Sequence, residues 1–405
     1  MIDALDPSRT APASAWQGLL DRLRQGSELA ALLEDPADPQ MRAELEKLML
    51  MTLSQGYPMI FHSDPDHPDL VPFLNATFNS MGPNPDNVYL ISAIRGEGVY
   101  RLHGNRGSVH FCVVTIGASA GTGRGIWMED SPGACVGQTD LDAIECAPDG
   151  SFEILISRER PEGYRGNWLA LDPRADHLLV RQVSYDWDNE EDAFVALDRV
   201  DKPVGLPFMT AEKIEDNMRL LGNFVLNGAK YWLDFMARLR SEAPRNTLKI
   251  THNWDSGGLG SQVYIDGFWE IAEDEALLIE TELPETARYW NFQLADALFC
   301  GIDLTNRQSS INGRQAHVDE DGRFRAVIAA RDPGIANWLD TGGFLKGCVV
   351  GRWLEASSSP TPQMRKVELA ALDGLLPAGT PRVTPDERQA AMRRRRAAVQ
   401  RHRRW

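Results

Sequence analysis

A glycine-rich stretch, GASAGTGRG at residues 117–125, has the spacing most suggestive of chemistry in this sequence. Its first five residues match G-x-S-x-G, the pattern of a nucleophile elbow, which would make Ser119 an attacking hydroxyl. Such an elbow needs a helix directly after the serine, and the residues that follow show no helical period. The stretch also lacks the Lys-Ser/Thr pair of a P-loop. We therefore interpret it as a loop that leaves a strand at the rim of a cleft.

Three residues are candidates for acid–base catalysis: His252, His103 and Asp86. A histidine changes charge near neutral pH, so it can accept and return a proton during a reaction. Asp86 lies in NPDN, directly before a predicted strand, where its carboxylate would point into a pocket. Structural roles are the alternative, with Asp86 capping a turn and the histidines on strand surfaces.

Four further residues are candidates for substrate binding: Asn87, Trp254, Arg307 and Asn312. Trp254 lies close to His252 in THNWDSGG, a set that suits a hydroxyl-rich or ring-shaped ligand. Arg307 and Asn312 would bind a carboxylate or sulfate through forked hydrogen bonds. Solvated surface positions are the alternative for these polar residues.

The segment HSDPDHPD, residues 62–69, contains the densest group of oxygen and imidazole ligands. A metal needs such groups to converge, whereas Pro65 and Pro68 extend the backbone and spread the side chains. We interpret the segment as a capped, solvated loop. No G-x-G-x-x-G fingerprint opens a helix after a strand, and no H-E-x-x-H motif occurs. The sequence therefore predicts neither a metal nor another cofactor.

Composition is typical of a soluble globular chain with more than one domain. The chain has 405 residues, 43% hydrophobic and 25% charged, and no apolar run approaches the ~18 residues of a membrane span. A formal net charge of −16 argues against a nucleic-acid partner. Five widely spaced cysteines without a CxxC pair indicate reduced thiols. Together with an N-terminus unlike a signal peptide, they predict a cytoplasmic protein.

The C-terminal residues 388–405 include eight arginines and no acidic residue. The sequence Thr384-Pro385-Asp386-Glu387 has the cap, proline and early acids of a helix start, so an Arg-rich terminal helix is predicted. Such a helix would touch RNA or anionic lipid, or it would dock on an acidic face of its own or a partner subunit. Because the rest of the chain is acidic, docking of this helix on an acidic face is at least as well supported as contact with RNA or lipid. A homo-oligomer formed through this helix would be one result of such docking.

Helical and β-rich regions alternate along the chain and would position these residues. Residues 13–33 and 38–56 show the apolar spacing of two helices. Short β-rich runs separated by glycine turns begin near Asn87. A sustained apolar stripe predicts one long helix beginning near Thr210, and strands resume at about residue 247.

The two β-rich regions resemble each other, which indicates an internal duplication. The matched stretches are DGSF (149–152) with DGRF (321–324), NWL (167–169) with NWL (337–339), and NVYL (87–90) with QVYI (262–265). Each copy also closes on an apolar run that ends at a tryptophan, Trp187 or Trp353. We predict a mainly β chain with helical additions (α+β), built from two tandem β-sandwich or jelly-roll modules. The long helix would lie in the groove between them.

These boundaries predict five segments along the chain. They are an N-terminal helical segment (1–83), a first β-sandwich module (84–205), a connecting amphipathic helix (206–245), a second β-sandwich module (246–358), and a Pro-rich tail with the Arg-rich terminal helix (359–405).

With both modules in view, the chain resembles the bacterial family called domain of unknown function 1214, which is often paired with a related upstream domain, number 1254. The resemblance rests on NPDNVYL (84–90), GVYRLHG (98–104), YWNFQLAD (289–296), the stretch from SSINGR to ANWL (309–339), and GRW (351–353). It implies paired β-sandwich domains. It implies no reaction, because the family offers no catalytic assignment to transfer.

Two classes of function stay open. The first is an enzyme of the hydrolase or lyase type, using acid–base chemistry on a small hydroxylated or carboxylated substrate in a cleft between the β modules. The second is a non-catalytic protein that binds a small molecule or carbohydrate in the same cleft. A histidine with a perturbed pKa deep in the cleft would favour the enzyme.

Overall fold

The computed structural model describes residues 14–119, 133–252 and 258–402. The chain begins with two helices, α1 (Ala15–Arg24) and α2 (Pro39–Tyr57). The side chains of Ser14 and Asp38 accept backbone N–H groups at the two helix starts, which satisfies donors that the first turn leaves open. Both predicted N-terminal helices are confirmed, although α1 gives way to 3-10 helix after Arg24.

The first β module consists of two sheets. Its strands are β1 (Val71–Pro72), β2 (Asn87–Ala93), β3 (Tyr100–Asn105), β4 (Phe111–Ala118), β5 (Ala134–Asp140), β6 (Ser151–Ser157), β7 (Asn167–Ala170), β8 (His177–Val183) and β9 (Phe194–Arg199). A five-stranded sheet has the order β1-β2-β8-β4-β5, and a four-stranded sheet has the order β7-β6-β3-β9. Buried side chains such as Leu102 and Ile116 fill the core between the two sheets.

The second β module repeats this topology strand by strand. Its strands are β10 (Lys249–Thr251), β11 (Gln262–Glu270), β12 (Glu275–Glu282), β13 (Tyr289–Ala295), β14 (Ser310–Asn312), β15 (Arg323–Ala329), β16 (Trp338–Asp340), β17 (Lys346–Leu354) and β18 (Gln363–Glu368). The sheets have the orders β10-β11-β17-β13-β14 and β16-β15-β12-β18. Even the single parallel pair recurs, as β6–β7 and β15–β16. The predicted fold class, a mainly β chain with two duplicated modules, is confirmed.

The last strand, β18, lies beyond residue 358, so the second module extends further than the predicted boundary. It pairs with β12 along its whole length. The prolines at 360 and 362 suggested a tail in the sequence, but they precede the strand and leave its backbone N–H groups free to pair.

Equivalent residues make equivalent hydrogen bonds in the two modules. The side chain of Asn167 exchanges two bonds with the backbone of Glu145 and donates a third to the carbonyl of Glu153. Asn337 makes the same three bonds with the corresponding residues of the second copy, His317 and Arg325. The repeated asparagines therefore have the same structural role in both copies: each one ties a loop to a strand.

The predicted equivalence of Trp187 and Trp353 is wrong. Trp353 lies within β17 opposite Val263 and is fully buried in the second core. The matching position in the first module is Gln182, which lies opposite Val88, whereas Trp187 follows the end of β8. Both apolar runs end at a tryptophan, but only strand pairing reveals that β17 includes its tryptophan and β8 does not.

A long helix, α3 (Ala211–Glu242), connects the modules and packs against the five-stranded sheet of each. The helix begins where predicted, and the side chain of Thr210 caps it. Leu220 and Phe224 pack against β2 and β8, and Met236 and Leu239 pack against β11 and β17. The expected position of this helix between the copies is confirmed. No helix within the described ranges combines the length and the apolar composition needed to cross a membrane.

The Arg-rich C-terminal helix, α4 (Pro385–Arg401), begins with the predicted Thr384 capping box and docks on its own chain. Arg388 pairs with Asp332 at 2.9 Å. Arg395 is buried and donates to the Ser310 hydroxyl at 2.7 Å. Two of the terminal arginines thus hold the helix on the second module, while a homo-oligomer formed through this helix stays a prediction.

Replacing either repeated asparagine with alanine tests the shared structural role. Asn337 is 5% exposed and Asn167 is half-buried, so water can replace the lost bonds only at Asn167. We expect Asn337→Ala to lower the free energy of unfolding by about 2–3 kcal/mol and Asn167→Ala by about 1 kcal/mol. Urea unfolding measures both values, and equal losses would contradict the argument from burial.

Candidate functional site

A cavity of about 450 Å³ lies between the two five-stranded sheets and beside α3, at the position of the predicted cleft. The first module supplies walls from β2, β4, β5 and β8, and the second supplies walls from β10, β11 and β17. The side chains on these walls that can do chemistry include Asn87, Tyr89, Thr115, Cys135, His177, Arg181, Lys249, Thr251, His252, Gln262, Tyr264, Asp266 and Arg352.

His177 and Asp176 form a buried acid–base pair on the first module's wall. Nδ1 of His177 lies 2.6 Å from Oδ1 of Asp176, and the backbone N–H of Ser119 donates to Oδ2 at 3.0 Å. Burial raises the pKa of the Asp176 carboxyl, but the hydrogen bonds from His177 and Ser119 outweigh it, so the net pKa is lowered. Asp176 is therefore ionised, and it fixes the proton of the imidazole on Nδ1.

Gly117 leaves space for the imidazole of His177 on the cavity wall. It lies on β4, directly opposite His177 on β8 and Cys135 on β5. A Cβ atom at residue 117 would lie 2.0 Å from Nε2 of His177, well inside van der Waals contact. The ring therefore lies over the glycine. Because Nδ1 faces Asp176, Nε2 is the nitrogen that can exchange a proton with a bound molecule.

The duplication also places two equivalent Tyr–Arg pairs on the cavity walls. Tyr89 lies opposite Arg181 in the first module, and Tyr264 lies opposite Arg352 in the second. Arg181 donates to the hydroxyl of Thr115 at 2.8 Å. The two sheets thus present the same pair of residue types to the cavity from opposite sides.

Arg352 is committed to the protein itself. Its guanidinium donates to the side-chain oxygens of Gln293 (2.7 Å) and Asn291 (3.2 Å) and to the carbonyl of Gly82 (3.2 Å). Only 5% of this residue is exposed. Its hydrogen bonds connect the second module to the segment that precedes β2 in the first.

Asp266 is a second titratable group on the second module's wall. The hydroxyl of Thr251 donates to its carboxylate. Burial raises the pKa of Asp266 to about 6, which that hydrogen bond and the charge of Arg352 only partly offset. Near neutral pH this carboxyl group therefore changes between its neutral and charged forms.

The predicted residues Asp86 and Asn312 lie together, but inside the protein between the modules. Nδ2 of Asn312 and Nε1 of Trp187 each donate to Oδ1 of Asp86 at 2.7 Å, and the Tyr289 hydroxyl donates to Oδ2. Burial raises the pKa of Asp86, against these hydrogen bonds. With its oxygens occupied in this way, Asp86 joins the two modules, and it has no part in the chemistry proposed below.

Two other predicted residues, His252 and Asn87, line the cavity. His252 is exposed at its edge. Oδ1 of Asn87 is buried and has no hydrogen-bond partner in the described structure, which leaves an acceptor for a ligand. Trp254 lies outside the described residues.

His103 and Arg307 lie away from the cavity. His103 is on β3 of the four-stranded sheet, where its Nε2 lies 3.0 Å from Oδ2 of Asp198. Arg307 pairs with Asp340 at 3.0 Å, and its side chain is 44% exposed. The structure therefore does not bring these two residues together with His252.

The 62–69 loop contains paired groups and no converging set of ligands. His62 pairs with Asp69 at 2.7 Å, and Asp66 pairs with Arg199. Within the described parts of the chain, no three His, Cys, Asp or Glu side chains are placed to hold a metal ion.

Sequence reasoning missed the His177–Asp176 pair and the two arginines. Neighbours in a strand point to opposite faces, so adjacent Asp and His gave no signal; the pair forms because Asp176 precedes β8. A signal for Arg181 and Arg352 did exist. Once NVYL is aligned with QVYI, the paired strands LVRQV and VGRWL place an arginine opposite each tyrosine.

Comparison with known proteins agrees with the duplicated fold. The family model described as "Protein of unknown function (DUF1214)" matches residues 84–183 and 272–346. The chain resembles the DUF1214 family in both β modules. One DUF1214 match falls in each module, as a duplication requires, while the pairing with domain 1254 stays a prediction.

A solved structure supports the same fold and names no reaction. An uncharacterised protein from Burkholderia cenocepacia has a TM-score of 0.82 at 28% identity, covering 88% of this chain and 97% of that chain. A protein from Vibrio parahaemolyticus has a TM-score of 0.45 at 10% identity, covering 84% and 100%, and is too distant to inform the site. No curated protein matches the chain.

The raised pKa of Asp266 predicts how stability changes with pH. The folded protein binds this proton more tightly than the unfolded chain, so the free energy of unfolding falls as pH rises from about 4 to about 6. With a folded pKa of about 6 against 3.8, the fall is about 3 kcal/mol. Asp266→Asn should remove this contribution and make the protein more stable than the parent at pH 7, as measured by urea unfolding.

Asp296 provides the comparison, because burial raises its pKa to about 6 as well. In the Asp266→Asn variant, Asp296 still titrates, so a smaller fall between pH 4 and 6 should remain. An unchanged pH profile in Asp266→Asn would show that Asp266 titrates normally.

Proposed function

We propose that this protein is an enzyme of the hydrolase or lyase type, which performs acid–base chemistry on a small carboxylated or hydroxylated molecule. The reaction would take place in the cavity between the two five-stranded sheets. The observation that supports this most directly is the His177–Asp176 pair at the cavity wall. A histidine whose second nitrogen is held by a buried carboxylate is the arrangement that general bases use in many unrelated enzymes.

In the proposed reaction, Nε2 of His177 takes a proton from a water, a hydroxyl or an acidic C–H of the bound molecule. Asp176 then faces a charged imidazolium, and its ionised carboxylate stabilises that charge. The imidazolium returns the proton to the leaving group. Hydrolysis and elimination both need this same proton cycle, so the class of reaction depends on the substrate.

The polar residues around His177 would position the substrate. Arg181 offers donors on the same sheet as His177, and Asn87 offers a buried acceptor. Gln262 and Tyr264 line the opposite wall. A molecule held between the two walls would be shielded from bulk water, which strengthens each of these contacts.

A binding protein without turnover is the second candidate. Burial raises the pKa of the Cys135 thiol and of the Tyr264 hydroxyl, so both groups are neutral at physiological pH. Apart from histidine, the cavity then offers few activated nucleophiles. Measurements of binding and of turnover separate the two candidates.

We also propose that the protein works in a reducing compartment such as the cytoplasm. All five cysteines are free thiols, and Cys112, Cys300 and Cys348 are buried. Such a pattern is typical of proteins that are kept reduced.

Turnover of small hydroxy-, keto- and ester-carboxylates, screened by proton NMR, tests the proposed enzyme. For a substrate found in this way, His177→Gln should lower kcat by about 10²–10⁴-fold, because the proton acceptor is lost. Asp176→Asn should also lower kcat, since the tautomer is no longer fixed. The matched control is His103→Gln, which removes a histidine paired with Asp198 on the outer sheet and should leave kcat unchanged.

Cysteine labelling shows whether a ligand occupies the cavity. Cys135 lines it, whereas Cys146 is exposed elsewhere. A ligand in the cavity should slow iodoacetamide labelling of Cys135 and not of Cys146, as read by peptide mass spectrometry. Protection without any turnover would replace the enzyme proposal with the binding protein, and parental kcat in His177→Gln would refute the role of His177.

A further inference from the structure

The two Tyr–Arg pairs have diverged in what their arginines do. Arg352 is almost fully buried, and its donors go to Gln293, Asn291 and Gly82. Arg181 is partly exposed and lines the cavity. In the second copy the arginine therefore holds parts of the protein together, whereas in the first copy the equivalent guanidinium lines the cavity.

The residues next to the two arginines also differ between the modules. Thr115 on β4 occupies the place that Gln293 occupies on β13, next to the arginine on the central strand. Thr115 is shorter than glutamine, and it also lines the cavity. A guanidinium presents a planar fork of donors that matches the two oxygens of a carboxylate. The Thr115 hydroxyl accepts from Arg181 at 2.8 Å and donates to the carbonyl of Leu179 at 3.3 Å, so it orients the guanidinium.

Another side of the cavity is aromatic. Trp232 and Phe235 of α3 pack against Phe299, with ring centroids 4.9 Å apart in both contacts. All three rings line the cavity. Contact between such a wall and an apolar or ring-shaped ligand stabilises the complex, whereas a small, fully hydrated anion is stabilised little by it.

We propose that the cavity binds a carboxylate attached to a ring-sized apolar body, with the carboxylate on Arg181 and the body against the aromatic wall. This inference rests on the proposed function and names the class of its substrate. It also assigns Arg181 as the residue that determines specificity. The carboxylate group would lie on the same sheet face as His177, so the reacting atom would belong to the attached body.

Benzoate and benzamide provide the test, because they have nearly the same shape and differ in charge. We expect benzoate to bind the full-length protein at least 10-fold more tightly than benzamide, as measured by calorimetry or ligand-observed NMR. Arg181→Met should lower the affinity for benzoate at least 10-fold and leave benzamide unchanged. Arg181→Lys, which keeps the charge and loses the fork, should lie between the parent and Arg181→Met.

Arg307→Met is the matched control, since it removes an arginine that pairs with Asp340 outside the cavity. It should leave both affinities unchanged. Equal affinities for benzoate and benzamide, or parental benzoate binding in Arg181→Met with an unchanged Tm, would overturn the proposal. So would displacement of benzoate by inorganic phosphate at a similar concentration, because the apolar body would then contribute nothing.

Benzoate binding requires no turnover, so this test is independent of His177. Discrimination that depends on Arg181, with parental kcat in His177→Gln, would keep the ligand class and reject the acid–base role. Loss of kcat in His177→Gln, together with equal affinities for benzoate and benzamide, would keep the acid–base role and reject the ligand class.

Discussion

The carboxylate of Asp86 is buried between the two β modules and is hydrogen-bonded from both. Tyr289 and Asn312 reach it from the second module, and Trp187 reaches it from the first. An ionisable group loses its hydration on burial, so donors from both sides must close around it together. The next residue, Asn87, lines the cavity. This contact therefore joins the two modules directly beside the cavity.

The duplicated module has kept one face of its five-stranded sheet and changed the other. The face toward each sandwich core is apolar in both copies, because it must be covered by the four-stranded sheet. The opposite faces meet across the cavity. There the Tyr–Arg pair persists, but Arg352 stabilises the junction while Arg181 faces the cavity. One copy's arginine thus stabilises the junction, and the other copy's arginine lines the cavity.

The helices, the duplicated modules and the cavity between them could be predicted from the sequence, because they depend on local periodicity and on a constant spacing between copies. His252 and Asn87 line the cavity, and both adjoin predicted strand ends. The position of His177 on the cavity wall could not be predicted. It depends on which residue of β4 lies opposite β8, and the register of strands distant in sequence follows from packing. The same reason explains the error over Trp187 and Trp353.

The glycine at residue 117 shows how register gives a sequence motif its meaning. The G-x-S-x-G spacing suggested that this glycine serves a nucleophilic Ser119. In the second module, however, the equivalent pair is Ala295 opposite Cys348, so the strand itself accepts a side chain at this position. In the first module the partner is His177, whose ring fills the space that a Cβ atom would need. A glycine is therefore needed at residue 117 to leave space for the imidazole. The glycine of the motif is thus explained by His177, which lies far away in the sequence.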